Sequence, residues 1–341
     1  MQVKMSGCCI LVLLGLAMKK LMVLLFMMVA FFGLGWFAAC SETQTPLIEP
    51  STEVANDANT TEEPIEPEKK LPITKCNGLE RLCDLPLNQV TFVRAHNAHA
   101  AEKLGYSKLS ANHINPIPEQ LKAGIRSLNV DVYKHEEEGK TDLYLCHGFC
   151  VLGKQLFAKA LADVRRFMEN NPHEVLLFDM QNEAPLAETV AALEASGLAK
   201  WAHVQKKGEP WPTLREMIQQ NKRIVFWTRK TKGAPSWLHT RNDLVFGTPC
   251  CRKTKEELTC KLQEKKFKYG LFFISHTLTN PVASQDLAKK VNFNPFLKER
   301  IARCEKEVGQ MPNLISIDFY TIGDVIKTVE AINRGEFPNK P

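Results

Sequence analysis

The chain has 341 residues, of which 44% are hydrophobic and 24% charged. This composition excludes a miniprotein and a collagen-like chain, and it suits one large α/β domain with appended segments. The formal net charge of +6 is unevenly distributed: residues 41–75 carry eight acidic side chains and three lysines, whereas residues 76–341 have a net charge of +8 and hold all nine histidines. We therefore expect any chemistry to reside in residues 76–341.

An apolar segment near the N-terminus predicts export. Residues 21–39 are uncharged and mostly apolar, two lysines precede them, and Cys40 follows them directly. Small residues before a cysteine resemble the bacterial lipoprotein signal, in which Cys40 becomes the acylated N-terminus after cleavage. The alternative is an uncleaved transmembrane helix, because a segment of this length spans about 28 Å. Both interpretations predict an exported, membrane-tethered protein.

The segment after Cys40 has the composition of a linker. Residues 41–75 contain five prolines and six threonines, have a net charge of −5, and include few large apolar side chains. Such a segment cannot bury enough apolar surface to fold alone. We therefore divide the chain into a lipoprotein-type signal or anchor (1–40), a disordered linker (41–75) and a folded domain (76–341).

Cysteine usage in the domain agrees with export. The domain holds eight cysteines: Cys76, Cys83, Cys146, Cys150, Cys250, Cys251, Cys260 and Cys304. An even number of cysteines in an exported domain favours disulfides, and we predict Cys76–Cys83, Cys146–Cys150 and the longer Cys260–Cys304. The pairing of Cys250 and Cys251 stays open. A zinc site built from Cys146, His147 and Cys150 is the competing interpretation.

Strand-like and helical segments alternate along the domain. We predict strands at residues 90–95, 127–133, 174–181, 223–228, 244–247, 271–275 and 314–320, with a further extended piece at 142–147. Apolar side chains at three- and four-residue intervals predict amphipathic helices at 154–171 and 321–333. The alternation is typical of a parallel sheet, and so many strand–helix steps in one domain favour a closed (β/α) barrel of the TIM type over an open sheet.

Polar side chains collect at the ends of the predicted strands. They are His96, Asn97, Asp131, Tyr133, His147, Gln181, His276, Asp318 and Tyr320. Barrel enzymes place their chemistry at the carboxyl ends of the strands. The polar groups therefore fall where the active site of a barrel is expected, which supports the barrel.

Several motifs in fixed order resemble one family of phosphodiesterases. The first motif runs from Cys76-Asn-Gly to Val-Arg-Ala-His96-Asn97-Ala-His, and the next are Asn129-Val-Asp131-Val-Tyr133, Leu-Cys-His147-Gly and a C-terminal Ile-Asp318-Phe-Tyr320. Together they resemble the catalytic X region of phosphatidylinositol-specific phospholipase C, in its secreted branch with a cysteine-bearing first loop. The resemblance covers residues 76–334 and is strongest over 76–181.

The resemblance implies two histidines with different roles. His96 would be the general base that takes the proton from the inositol 2-hydroxyl group, and His147 the general acid that protonates the departing diacylglycerol oxygen. The implied product is a cyclic inositol phosphate. Imidazole suits both proton transfers because its pKa lies near neutrality.

A positive group that holds the phosphate oxygens is harder to assign. Metal-independent members of this family have an arginine where this chain has Tyr133, and calcium-dependent members ring the ion with residues that align with Asn97, Asn129, Asp131 and Gln181. Asp131 is the only carboxylate in that set, and calcium gains affinity from ligand charge. We expect a weak calcium site through Asn97 and Asp131. The alternatives are a second carboxylate from Glu183 or a fixed cation, which the following candidates could supply: Arg94, Arg126 and Lys134.

Other side chains are assigned to substrate binding. They are Arg126, Tyr133, Lys134, His276, Asp318 and Tyr320. Residues 252–268 have a net charge of +4 and could meet an anionic membrane, although a solvated face is the simpler interpretation. Nucleic-acid binding is disfavoured because the basic stretch lacks interleaved aromatic residues. A related glycerophosphodiester or sphingolipid phosphodiesterase, and an inactive headgroup-binding protein, stay as alternative functions.

Overall fold

The structure is a computed structural model that describes residues 72–337. The predicted signal or anchor, its acylated cysteine and most of the predicted linker lie outside the described residues. None of the helices within residues 72–337 has the length and apolar character needed to cross a bilayer.

The strands of the described chain form one sheet. Their bounds are β1 Phe92–Ala95, β2 Ser127–Glu137, β3 Lys140–Cys146, β4 Lys154–Leu156, β5 Leu176–Asn182, β6 Ile224–Thr228, β7 Leu238–Thr240, β8 Val245–Gly247, β9 Leu271–Ser275 and β10 Leu314–Ile317. Eight of them follow the order β7-β6-β5-β2-β1-β10-β9-β8, and every neighbouring pair in this path is parallel. Within residues 72–337, no ladder joins β7 to β8. The sheet is the predicted TIM-like barrel, hydrogen-bonded around its wall except at that one seam.

Helices cover the outside of this sheet. Their bounds are α1 Ile117–Lys122, α2 Phe157–Asn170, α3 Leu186–Ala195, α4 Leu214–Gln219, α5 Arg241–Leu244, α6 Gln285–Val291, α7 Phe296–Val308 and α8 Val325–Arg334. Helix α2 begins at Phe157 and not at the predicted residue 154, because the three residues before it form β4 and pair with β3. Strand β7 was not predicted because only Leu238 of its three residues is a large apolar residue, so it lacks the apolar run that marks the equally short β8.

Strand β2 is longer than predicted because it forms a hairpin. Glu138 and Gly139 take positive φ angles of 50° and 76°, which is the backbone of a tight two-residue hairpin turn. Strand β3 then runs back along β2, with Leu145 paired to Val132. The hairpin therefore returns the chain to the level of Asp131 just before His147. The predicted extended piece at 142–147 is this returning strand.

Alternating side chains of the strands build two different layers. Outward-facing side chains such as Val130 and Phe178 pack with Leu161 and Val164 of α2 in the main apolar cluster. Inward-facing side chains change character along each strand, since Phe92 and Leu314 at the strand starts belong to a second apolar cluster. Polar groups follow on the same inward face, because side-chain direction repeats every two residues. The barrel is therefore filled with apolar groups at one end and is polar at the other.

All three predicted disulfides are present: Cys76–Cys83, Cys146–Cys150 and Cys260–Cys304. The first ties down the N-terminal segment, whose Leu82 packs into the apolar end of the barrel. The second consumes the thiols of Cys146 and Cys150, so the zinc interpretation is wrong.

Candidate active site

His96 lies directly after β1 and is held by a carboxylate. Its Nδ1 is 3.0 Å from Oδ1 of Asp318, which follows β10. Burial lowers the pKa of His96, but the charge and hydrogen bond of Asp318 outweigh this effect, and the net pKa is raised. Since Asp318 accepts from Nδ1–H, the lone pair of Nε2 is available as a base. Asp318, which the sequence analysis assigned to substrate binding, thus orients the ring of His96.

A network of amides fixes this pair. Asn112 donates from Nδ2 to Oδ1 of Asp318 at 2.6 Å and accepts at Oδ1 from Nδ2 of Asn97 at 3.2 Å. His113 contacts the backbone carbonyl of His96 through Nε2 at 2.9 Å, and burial lowers its pKa to about 4. His113 is therefore neutral at pH 7 and donates from Nε2–H. Sequence reasoning missed Asn112 and His113 because both lie on the loop after β1 and not at a strand end.

His147 lies directly after β3 and is held by a backbone carbonyl. Its Nδ1 is 2.7 Å from the carbonyl oxygen of Ser110, and Ser110 Oγ donates to the carbonyl of Leu152 at 2.8 Å. Burial lowers the pKa of His147, and the charge of His96 lowers it further. The carbonyl can only accept, so Nδ1 of His147 carries a proton and Nε2 is the atom that can deliver one.

Asp131 lies on the inward face of β2, level with Gln181 of β5. Burial, assisted by the nearby charge of Asp179, raises the pKa of Asp131 to about 7, against the opposing charges of His96 and Arg229. Tyr133 follows on the same face, and burial raises its pKa to about 12. The structure thus brings Asp131 within electrostatic reach of His96, as the sequence predicted.

Two arginines provide positive charge on the inward face. Arg94 of β1 is buried, forms an ion pair with Asp179 and donates to Ser316 Oγ at 2.7 Å. Arg229 directly follows β6 and is exposed, and its charge lowers the pKa of Asp131. We call the polar end of the barrel around His96, Asp131 and His147 the mouth. Because Asp179 already neutralises Arg94, we take the exposed Arg229 as the candidate cation for an anion in the mouth. Sequence reasoning missed Arg229. Val225 and Trp227 of β6 face inward, and Arg229 is the next position in the same alternation.

Other predicted substrate-binding residues are turned away from the mouth. Arg126 bonds Glu174 at 2.6 Å and lies over Phe167 of α2, in the outer layer. Lys134 pairs with Glu188 of α3 at 2.7 Å. Lys134 faces outward because strand alternation directs even-numbered residues of β2 toward the helices, and Arg126, directly before β2, continues the same alternation. The structure does not bring either side chain to the site.

His276 and Tyr320 have structural partners. His276 is fully buried between the Val291 carbonyl, 2.8 Å from its Nε2, and the guanidinium of Arg300. Burial lowers the pKa of His276 to about 3, so it is neutral at pH 7. Tyr320 accepts from Asn115 at 3.1 Å and packs in the main apolar cluster. Neither side chain lines the mouth.

The predicted calcium ligands fit a hard divalent cation poorly. Asn129 Oδ1 accepts from the backbone N–H of Asn97 at 3.2 Å, and the side chain of Asn97 bonds Asn112. Asp131 is the sole carboxylate of the set, and a guanidinium acts on it electrostatically. Across residues 72–337, no group of three or more His, Cys, Asp or Glu side chains is arranged to hold a metal ion. We therefore derive no chemical step through calcium, and the calcium site stays a prediction.

Comparisons with known proteins agree with this geometry. The family model described as PI-PLC X 1 matches residues 82–333. A PI-PLC X domain-containing protein of Arabidopsis thaliana is 27% identical over 280 residues, which cover 74% of this chain and 63% of that protein. PI-PLC X domain-containing protein 1 of Arthroderma benhamiae is 26% identical over 279 residues, which cover 76% of this chain and 89% of that protein. An uncharacterized secreted protein of the same fungus is 24% identical over 312 residues, which cover 84% of this chain and 69% of that protein.

Solved structures show the same fold. A mutant of phosphatidylinositol-specific phospholipase C from Staphylococcus aureus superposes with a TM-score of 0.50 at 13% identity, covering 74% of this chain and 94% of that chain. The family match spans well over half of this chain and includes both histidines, Asp131 and Asp318. The chain therefore belongs to the PI-PLC X domain family, and its fold is the TIM-like barrel of phosphatidylinositol-specific phospholipase C.

Proposed function

We propose that this protein cleaves the phosphodiester bond of a phosphatidylinositol-like phospholipid by acid–base catalysis between two histidines. The observation that carries the proposal is the paired geometry of His96 and His147. Each has its Nδ1 committed to a protein acceptor, at 3.0 and 2.7 Å, and each keeps Nε2 for proton transfer. The two side chains lie within electrostatic reach of each other, since the charge of His96 lowers the pKa of His147.

The reaction follows from these assignments. His96 Nε2 takes the proton of the inositol 2-hydroxyl group, whose oxygen attacks phosphorus. His147 Nε2 gives its proton to the diacylglycerol oxygen as the phosphorus–oxygen bond breaks. The products are diacylglycerol and a cyclic inositol phosphate. Arg229 would balance the negative charge that develops on the phosphoryl oxygens, because a fixed cation stabilises charge that appears in the transition state.

Membrane contact is the second part of the proposal. Leu109, Phe149 and Val151 are exposed by 64%, 55% and 83%. The last two lie on the loop directly after His147, and this loop is joined to the loop of Leu109 by the bond from Ser107 N to the Leu152 carbonyl at 2.7 Å. Large exposed apolar side chains grouped on neighbouring loops are typical of an interaction surface. We propose that this apolar rim rests on the bilayer that holds the substrate.

Export completes the proposal. The three disulfides support folding in an oxidising compartment, and one relative is named as a secreted protein. Replacement Cys40→Ser tests the tether, since it should abolish labelling by fatty acid. Intact mass should place the mature N-terminus at Cys40, whereas a mature chain that keeps residues 21–39 would support the transmembrane alternative.

Turnover of a phospholipid panel tests the function directly. Vesicles that contain phosphatidylinositol, phosphatidylcholine or sphingomyelin, and soluble glycerophosphoinositol, are incubated with the purified protein, and phosphorus NMR follows the products. We expect a cyclic phosphate from the phosphatidylinositol vesicles. Cleavage of another member of the panel would assign a related phosphodiesterase, and headgroup binding without turnover on any substrate would assign the inactive, binding function.

A further inference from the structure

Two cysteines outside the three disulfides lie beside the candidate site. Cys250 and Cys251 come shortly after β8, at the carboxyl end of a barrel strand. Both residues are exposed, and their Sγ atoms are 3.0 Å apart. In contrast, Cys76, Cys83, Cys146, Cys260 and Cys304 of the three disulfides are buried. The adjacent pair is therefore more accessible to a solute than these five buried cysteines.

The backbone explains how neighbouring side chains come so close. Successive side chains of an extended chain point in opposite directions. Cys251 instead has a φ angle of 63°, which belongs to the left-handed region, and this turn brings its sulfur to the same side as that of Cys250. An S–S bond of about 2.05 Å would need a movement of only about 1 Å from the observed separation.

Cys250 also lies within electrostatic reach of the mouth. The hydrogen bond from Cys251, together with the positive charges of His96 and Arg229, lowers the pKa of Cys250 to about 5 against the effect of desolvation. These are two groups that the proposed reaction uses. The reduced pair therefore carries a negative charge beside the position of an anionic phosphodiester.

We propose that Cys250 and Cys251 form a reversible vicinal disulfide that controls entry of the anionic substrate into the site. The proposal rests on the proposed function. In the reduced state the Cys250 thiolate competes for Arg229 and repels the phosphodiester. In the oxidised state the pair is neutral, and Arg229 is released for the substrate. A chain still reduced before export is thus held at low activity, and oxidation in an exported compartment raises it.

The exchange balances with an external disulfide as oxidant. The Cys250 thiolate attacks a low-molecular-weight or protein disulfide, which releases one thiolate and leaves a mixed disulfide on Cys250. Cys251 then loses its proton and attacks Cys250 Sγ, which releases the second thiolate. Two electrons pass to the external disulfide, and its two thiolates become thiols by taking up the proton from Cys251 and one proton from solvent.

General geometry makes such a bond labile. Neighbouring Cα atoms across a trans peptide are about 3.8 Å apart, whereas disulfides usually join Cα atoms about 4.4–6.8 Å apart. Strained and exposed disulfides are reduced more easily than buried ones. We therefore expect the vicinal pair to change state under conditions that leave the three structural disulfides intact.

The first test measures the thiol–disulfide equilibrium of Cys250 and Cys251 without an activity assay. Full-length protein is equilibrated in buffers with different ratios of reduced to oxidised glutathione, quenched with acid and alkylated. Mass spectrometry then counts the alkyl labels on the peptide that contains residues 250 and 251. We expect two labels under reducing buffers and none under oxidising ones, with the structural disulfides unlabelled throughout. Unchanged labelling across the buffers would overturn the proposal.

The second test measures substrate entry. The KM for phosphatidylinositol vesicles should fall about threefold to tenfold on oxidation, with kcat nearly constant, because removal of one nearby charge changes binding of an anion by this order. The Kd for inositol 1-phosphate should fall in parallel. Redox-dependent binding without turnover would refute the proposed activity and leave this inference standing. No change in either constant would refute the inference.

Two serine variants separate a switch from a structural role. Cys250→Ser removes both the thiolate and the disulfide, so it should keep the low KM of the oxidised protein in every buffer. Cys251→Ser removes the disulfide but keeps the Cys250 thiolate, so it should keep the high KM of the reduced protein. The proposal would be contradicted if both variants had a low KM, or if both had a high KM.

Discussion

His96 and His147 face one mouth but are held in opposite ways. His96 donates to a carboxylate, Asp318, whereas His147 donates to a backbone carbonyl, that of Ser110. Burial lowers the pKa of both imidazoles, and only the full negative charge of Asp318 is strong enough to reverse that effect. The pKa of His96 is therefore raised, and that of His147 is lowered.

This difference assigns the roles of a proton acceptor and a proton donor. A raised pKa makes neutral His96 the stronger base, and a lowered pKa makes protonated His147 the stronger acid. The assignment also has a cost. When the base has the higher pKa, only a minor fraction of the protein holds a neutral His96 together with a protonated His147. Two residues of the same type thus differ in chemistry mainly through the group that each Nδ1 contacts, Asp318 or the Ser110 carbonyl.

Removal of either imidazole should have the largest effect. His96→Ala and His147→Ala should each reduce kcat by about 10²–10⁴-fold, because a positioned acid or base contributes this much. A substrate with a good leaving group should rescue the variant that lacks His147 more than the one that lacks His96, since only the acid assists departure. His135→Ala, on the hairpin away from the mouth, is the control. Near-normal turnover by either folded variant would refute the assignment.

Removal of the charge of Arg229 should have the next largest effect. Arg229→Gln should reduce kcat/KM by about 10²-fold, because one donor to the developing charge is lost, whereas Lys230→Gln should have little effect. Lys230 is the matched control, since it is also a cation, exposed and adjacent in sequence. If Arg229 supplies the positive charge of the site, a chelator should leave the wild-type rate unchanged. Loss of turnover on chelation that calcium restores would instead support the predicted ion at Asn97 and Asp131.

The carboxylate of Asp318 can be neutralised to make the two histidines alike. Activity needs neutral His96 and protonated His147, so with the higher pKa on His96 the alkaline limb of the pH–rate profile reports His96. Asp318→Asn keeps an oxygen acceptor but removes the charge, so the pKa of His96 should fall and the alkaline limb should move to lower pH. We expect kcat to fall about tenfold. Imidazole NMR titration checks the pKa, and an unmoved alkaline limb would contradict the role of Asp318.

The loop after His147 also carries the proposed apolar rim. A single substitution in this rim should have the smallest effect, a severalfold loss of vesicle binding. Val151→Asp should weaken binding to phosphatidylinositol vesicles severalfold, because insertion of one such side chain is worth about 1.5–3 kcal/mol at most. The control is Val204→Asp. Val204 is 50% exposed and lies before β6, at the amino-terminal end of the barrel. Sedimentation with vesicles measures both, and equal losses would argue against a defined rim.

Much of the fold could be predicted because its signals are local. Apolar runs marked seven of the eight parallel strands, and the residues at their ends included His96, Asp131 and Asp318. The missed strand, β7, has three residues of which only Leu238 is apolar, so it has no apolar run to detect. The predicted disulfides are confirmed. Arg126 and Lys134 were assigned to the site because of their charge, but both point to the outer layer of the barrel. There Arg126 pairs with Glu174, just before β5, and Lys134 pairs with Glu188 of α3.

The sequence by itself determined the barrel, the two histidines and the disulfides, because strand periodicity, motif order and cysteine number are properties of the chain. Only the tertiary structure decided how each histidine is held, since Asp318 and Ser110 are distant in sequence from the rings they contact. The same holds for Arg229 and for Cys250, whose charges act on groups contributed by other strands. Local patterns specify which side chains end a strand, whereas the closing of the sheet specifies which of them meet.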